Sequence, residues 1–410
     1  MSEEFFIKEF PNGLTLLSQP MSAASSAALT ILTPAGASHD PADAAGVASV
    51  AAEWHIRGAG DRDTRQLQDA LDELGSHHSE AVQSEHIHFS SVQLGRNLAD
   101  VIAIYADILQ RPQLSDASFQ PSRALALQDL ASLEDEPARK CNLLLTEKFF
   151  PYPLGRCVYG SQETLQALSA DVVRRHISAL VSPANTILAV AGNVNWDELS
   201  TLIERAFGDW SGQAGPTIAA TDQPAGITHL QKDSAQTHIA LAHRSVPISH
   251  DQYYAARVAQ TVLSGGMSGR LFTEVREKRG LVYHVSCRHQ GLKDTAGMFT
   301  YAGTRPEVAQ QTCDVTVGEL RRLTEGVEEH ELERARTQLK SALIMQGEST
   351  SARAAALAAD WYHLGRLRSL KEISDSIDNV TTRDVTQYAK DWPAENLTAL
   401  VIGPKTISTN

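Results

Sequence analysis

Cysteine is scarce in this chain and scattered: four in 410 residues, at Cys141, Cys157, Cys287 and Cys313, with no CxxC pair. That spacing excludes a disulfide framework and a cysteine-based zinc ribbon, and it fits a reducing compartment or a protein that needs no covalent staples. No run of ~18 apolar residues occurs, so no membrane-spanning helix is expected. The N-terminus, MSEEFFIKEFPNG, carries two acids before any apolar run and lacks a sustained hydrophobic stretch. It reads as having no signal peptide, which makes the cytoplasm the expected compartment, or the periplasm if a signal peptide has been removed. A basic stripe is also missing. With 36 Lys and Arg against 49 Asp and Glu, the formal charge is −13, which argues against a nucleic-acid partner and disfavours anionic membrane surfaces.

What is present is a soluble composition, 42% hydrophobic and 21% charged, in a chain long enough for two domains. The two halves resemble each other at an offset of roughly 211 to 213 residues. NGLTLLSQP around Gly13 matches AGITHLQKD around Gly226. AALTILTPAG from Ala27 matches THIALAHRSV from Thr237, and ANTILAVAGNV, closing at Val194, matches ENLTALVIGP, closing at Pro404. Three matches in one order indicate tandem domains of one fold. The stretch SGQAGPTIAATDQPAG, rich in Gly, Pro and Ala without periodicity, reads as the connection. The expected division is 1–210, a linker over 211–225, and 226–410.

Each half runs strand, helices, strands, more helix, strand, which predicts an α+β sandwich: a mainly antiparallel sheet with helices on one face. Apolar spacing of three and four marks helices in TRQLQDALDELG from Thr64, NLADVIAIYADILQ from Asn97 and ELERARTQLKSALIMQ from Glu331. The segment SEHIHFSSVQLG from Ser84 alternates and reads as one arm of a hairpin. Its His86 and His88, with His77 and His78, have a spacing that can hold a metal. Alternating histidines in a strand read better as a polar face. The acidic run EGVEEHELE from Glu325 reads as a helix start. Gly265 and Gly266 lack the following Lys of a phosphate loop, so nucleotide binding is excluded.

In order along the chain come PNGLTLL, GVASVAAEWHIRGAG (Gly46 to Gly60), YPLGRCVYGSQETLQALSADVVRRH from Tyr152, LAVAGNV, SGGMSGRLFTEVREKRGLVY (Ser264 to Tyr283), and ERARTQLKSAL with ESTSARAAALA. This series resembles the pitrilysin-type zinc peptidases with an inverted HxxEH motif, in their short, mitochondrial-processing-like class. The resemblance covers essentially the whole chain. It implies a clamshell of two homologous domains that encloses an extended peptide. It also implies zinc held by two His one helical turn apart and a distant Glu, with the Glu of HxxEH activating water. Carried over by position, the first His falls on Ser49, the catalytic Glu on Ala52, the second His on Glu53 and the distant Glu on Asp129. His55 offers no rescue, because on a helix it lies about 200° round from Glu53. Two carboxylates do not make a zinc site. No catalytic residue, no metal and no cofactor are expected in this chain.

The second half of the resemblance is intact. An Arg and a Tyr seven residues apart bind substrate backbone in the family, and the pair here is Arg276 and Tyr283. A guanidinium and a phenol are donors that hold a peptide carbonyl without reading side chains. The competing reading pairs Arg276 with Glu274 or Glu277 on a solvated helix. A chain that can hold peptide but not cut it is expected to be the non-catalytic subunit of a heterodimeric zinc peptidase. Its partner is then a homologous subunit carrying HxxEH and the zinc. The alternatives are a structural or binding pseudopeptidase, and a self-sufficient hydrolase with relocated ligands.

Overall fold

The computed structural model describes residues 3–409, which form two compact units. Of the described residues the first contains 3–132, 156–219 and 346–368, and the second contains 133–155, 220–345 and 369–409. Each unit therefore takes one segment from the opposite half of the sequence.

In the first unit a six-stranded sheet runs, in spatial order, Phe6–Glu9, Thr15–Pro20, Ile187–Gly192, Ser26–Thr33, Ile87–Leu94, His77–Val82. Thr15–Pro20 and Ile187–Gly192 are parallel and every other pair is antiparallel. The second unit repeats the last five positions of this order: Ile227–Gln231, Thr398–Gly403, Thr237–Ser245, Ala296–Thr304, Val282–Gly291. Here too the first pair is parallel and the rest antiparallel. The internal repeat of the sequence is thus a repeat of topology. No regular helix or strand occurs between Phe207 and Ile227, where the Gly/Pro/Ala-rich connection lies.

Period-two alternation sends Leu16, Leu29, Ile31, Phe89, Leu188 and Val190 to one face of the first sheet, against a cluster that includes Trp54, Ile102 and Leu109. The opposite residues, Leu17, Ala28, Ala189 and Ala191, form a second layer with Ala354, Leu357 and Ala358 of the helix Thr350–Leu364. That helix comes from the far half of the chain. Its alanines, facing alanines of the sheet, let the backbones approach closely. The second sheet receives the reciprocal element. Cys141 and Leu145 of the helix Pro137–Phe149, with Phe150, pack on Ala240, Ala242, Phe299 and Leu400. Gly297 is glycine for this reason, since a Cβ there would come within 2.4 Å of the Phe149 ring. With both faces covered, Ile187–Gly192 and Thr398–Gly403 are buried throughout, and they read as unbroken apolar runs. Among the described residues no helix is long and apolar enough to cross a membrane.

Candidate functional site

Two places in the fold correspond to the two halves of the expected site. The first is the helix Val47–His55. It starts after Gly46, whose φ of +92° is the left-handed region that glycine tolerates, and a Cβ there would meet Leu165 Cδ2 at 2.8 Å. The buried carboxylate of Asp40 accepts from the N–H of Gly46 at 2.7 Å and of Ala48 at 3.2 Å, so two unsatisfied donors of the helix start are met from a distance of six and eight residues. Burial outweighs these donors and pushes the Asp40 carboxyl up to about 7.

The four positions carried over from the zinc motif, three on this helix and Asp129 on another, do not make a zinc site. Ser49 spends its hydroxyl on the carbonyl of Val158, at 2.5 Å. Ala52 is 3% exposed and has no donor or acceptor on its side chain. Glu53 is held by Arg57 four residues on, whose Nε donates to its Oε1 at 2.8 Å and whose Nη2 donates to the same oxygen. Asp129 is exposed on the helix Asp116–Ser132. A guanidinium therefore neutralises the one carboxylate the helix retains. Glu80 of the hairpin strand lies within the field of Glu53, and its carboxyl is held above the usual range by burial and by that charge. His55 turns inward, its Nδ1 2.7 Å from the carbonyl of Ala51 and its ring against Phe89, and burial lowers its imidazole to about 4. Among the described residues no group of three or more His, Cys, Asp and Glu has a metal-holding arrangement, His77, His78, His86 and His88 included.

The second place is the segment Ser264–Tyr283, in the other unit. The helix Tyr253–Ser264 stops at Gly265, where a Cβ would lie 2.4 Å from the carbonyl of Thr261, and Gly266 turns with φ +101°. The chain then enters a π-helix over Phe272–Glu277, with the N–H of Lys278 bonded to the carbonyl of Thr273 at 2.9 Å. Gly280 ends it at φ +59°. Its N–H bonds to the carbonyl of Arg276 at 3.0 Å and that of Leu281 to Val275 at 3.1 Å, a reverse turn one residue wider than its α-helical counterpart. Beyond it the edge strand Val282–Gly291 begins with a register shift between Val282 and His284. Tyr283 is the extra residue of that bulge, turned outward and 83% exposed.

The wide turn and the bulge bring Arg276 and Tyr283 together. The Arg276 guanidinium lies 5.1 Å from the centroid of the Tyr283 ring and 4.8 Å from that of Phe272. Glu274 does not take it. That carboxylate accepts from Lys278 Nζ and from Arg279 Nη1, both at 2.7 Å, and the two cations hold it below the usual carboxylate range. Phe272 was not among the residues singled out from the sequence. Its position four before Arg276 is the spacing at which a ring and a side chain meet on a helix.

Residues 15–162 match the family model described as insulinase (peptidase family M16), and residues 167–339 match the peptidase M16 inactive domain. An uncharacterized zinc protease of Rickettsia bellii is 28% identical over 415 residues, spanning the whole of both chains. In fold, the chain is similar to the peptidase M16 inactive domain from Pseudomonas fluorescens, with a TM-score of 0.91 and 18% identity over 99% of this chain and 100% of that one. It is similar also to a protease from Helicobacter pylori, with a TM-score of 0.90 and 18% identity over 98% and 100% of the two chains. The matched models lie in tandem over most of the chain, and the chain belongs to peptidase family M16, the pitrilysin-like zinc peptidases.

Proposed function

We propose that this chain is the non-catalytic, substrate-binding subunit of a heterodimeric zinc peptidase. Arg276 and Tyr283 hold the backbone of an extended peptide, and a homologous partner carrying HxxEH binds the zinc and hydrolyses the bond. One observation carries this reading. Arg276 lies against two aromatic rings while the carboxylate of Glu274 is occupied by Lys278 and Arg279. A guanidinium oriented by stacking keeps its in-plane N–H donors for an incoming carbonyl, and charge-assisted bonds of that kind are the strong ones. The exposed Tyr283 hydroxyl adds a second donor beside it.

The donor chemistry of the helix Val47–His55 supports the other half. Nothing at Ser49 or Ala52 can bind zinc or take a proton from water, and Glu53 is already paired. General-base catalysis alone contributes about 10² to 10⁴ in rate, and metal activation adds to it. The test is to assay the purified chain with and without an HxxEH-bearing paralogue. Cleavage is expected only from the mixture, and chelator-sensitive cleavage by the lone chain would overturn the reading.

A further inference from the structure

The loop that delivers Arg276 is anchored at its base by an ion pair the clamp does not use. Arg270 is 7% exposed, where an unpaired charge would be strongly destabilising. Its Nε donates to Glu331 Oε1 at 2.7 Å and its Nη2 to Glu331 Oε2 at 2.6 Å, fork against fork. Nη2 also reaches the carbonyl of Gly326 at 2.9 Å, while Glu331 Oε2 accepts the N–H of Glu328 at 2.9 Å. The carboxylate is thus tied into the first turn of the helix Glu329–Gly347. Two more contacts follow along that helix. Arg334 Nη2 donates to the carbonyl of Ser268 at 3.0 Å, and Gly265 lies so close to Gln338 that a Cβ would come within 2.2 Å of its Oε1. Positions 331, 334 and 338 share one helix face, and they meet the loop at 270, 268 and 265 in turn.

Immediately after Arg270 and Leu271 the π-helix begins, and Arg276 sits within it. Among the described residues Arg276 has no carboxylate or carbonyl partner of its own. Its direction depends on the two rings and on where the π-helix starts.

We infer that the Arg270–Glu331 pair is the positioning device of the Arg276–Tyr283 pair: it sets the origin and direction of the π-helix so that the Arg276 guanidinium lands on the Tyr283 ring. Arg270 and Glu331 are positioning residues and touch no substrate. The functional meaning of this inference rests on the peptide-clamp reading, but the geometric claim stands independently of it.

The test uses the full chain with 13C-labelled arginine. With two ring centroids within 5.1 Å of its guanidinium carbon, the Arg276 side chain is expected to carry resonances displaced upfield by the rings, and Arg276→Lys assigns them. Arg270→Lys keeps the charge but loses the fork. Glu331→Gln keeps the shape but loses the charge, and Arg270→Met with Glu331→Leu replaces the pair by apolar packing that is expected to keep the fold intact. In those variants that give native near-ultraviolet circular dichroism, the Arg276 resonances are expected to lose at least half of their upfield displacement. Affinity for fluorescein-labelled β-casein, an unfolded polypeptide, should fall about as far as in Arg276→Ala. A folded apolar double variant that keeps both the displacement and the affinity would reduce the pair to ordinary stabilisation and overturn the inference. If the native chain binds no casein while the variants still lose the displacement, the clamp reading fails and the positioning role stands.

Discussion

The guanidinium of Arg276 lies over the ring of Tyr283, 5.1 Å from its centroid, and backbone geometry brings the two residues together. A π-helix on one side and a β-bulge on the other close the gap between two residues seven apart. A cation–π contact at an exposed site contributes about 0.5–1 kcal/mol, enough to orient the group and too little to satisfy its N–H donors. Those donors are what a peptide backbone would use.

Removing the guanidinium should therefore affect binding more than folding. Arg276→Ala is expected to weaken peptide affinity by tenfold or more, since a hydrogen bond to a charged group contributes about 1.5–3 kcal/mol. Unfolding stability should fall by no more than about 1–2 kcal/mol, the two cation–π contacts that are lost. Tyr283→Phe keeps the stack and loses one donor, so its loss of affinity should be smaller. Calorimetric titration and denaturant melts of the three proteins check both halves.

The zinc-motif helix makes a prediction of opposite sense. The native chain, dialysed and titrated with a zinc indicator, is expected to bind zinc only weakly and below one equivalent. The triple variant Ser49→His, Ala52→Glu, Glu53→His places two imidazoles one turn apart on one helix face and should gain affinity by orders of magnitude. Equal affinity in the two proteins would contradict the account of Ser49, Ala52 and Glu53.

Gly280 tests the turn itself. At φ +59°, an alanine should cost about 1–2 kcal/mol, because a side chain crowds the following carbonyl in the left-handed region. The measurement is a denaturant melt of Gly280→Ala. A loss near zero would mean the turn relaxes without it.

Acid should unfold this protein partly through buried imidazoles. Burial lowers His243, in the strand Thr237–Ser245, to about 4, so the fold favours its neutral form. The unfolded chain takes up a proton near pH 6.5 and the folded one does not until about 4. The stabilisation from this group is thus complete above about 6.5 and is lost as pH falls from there toward 4. His243→Leu should reduce the slope of stability against pH in that window by about one proton, or ~1.4 kcal/mol per pH unit.

Much of this was legible in the chain itself, and the parts that were not share a cause. Gly13 and Gly226, the apolar runs closing at Val194 and Pro404, and the helix starting at Thr64 carry their structure locally, in periods and turn residues. Arg276 and Tyr283 are singled out by the resemblance rather than by any local period, whereas the sequence leaves the fate of Glu274 open and in the structure Lys278 and Arg279 occupy it. Arg57 was within reach of sequence reasoning as the i+4 partner of Glu53. The exchange of helices between halves was not. Ala354 and Ala358 say that something packs close, but nothing local says against which sheet. Nor does any apolar period announce a π-helix, or tie Arg270 to a carboxylate some sixty residues on.

The central claim is that this chain holds peptide for a partner that cuts it. The direct measurement is peptide cleavage by a reconstituted pair, this chain with an HxxEH-bearing paralogue, comparing the native chain with Arg276→Ala at equal complex concentration. The account predicts cleavage by the native pair, none by either chain by itself, and a fall of tenfold or more in kcat/KM with Arg276→Ala while the two chains still co-elute. Undiminished cleavage with Arg276→Ala would contradict it and leave a structural role for the chain.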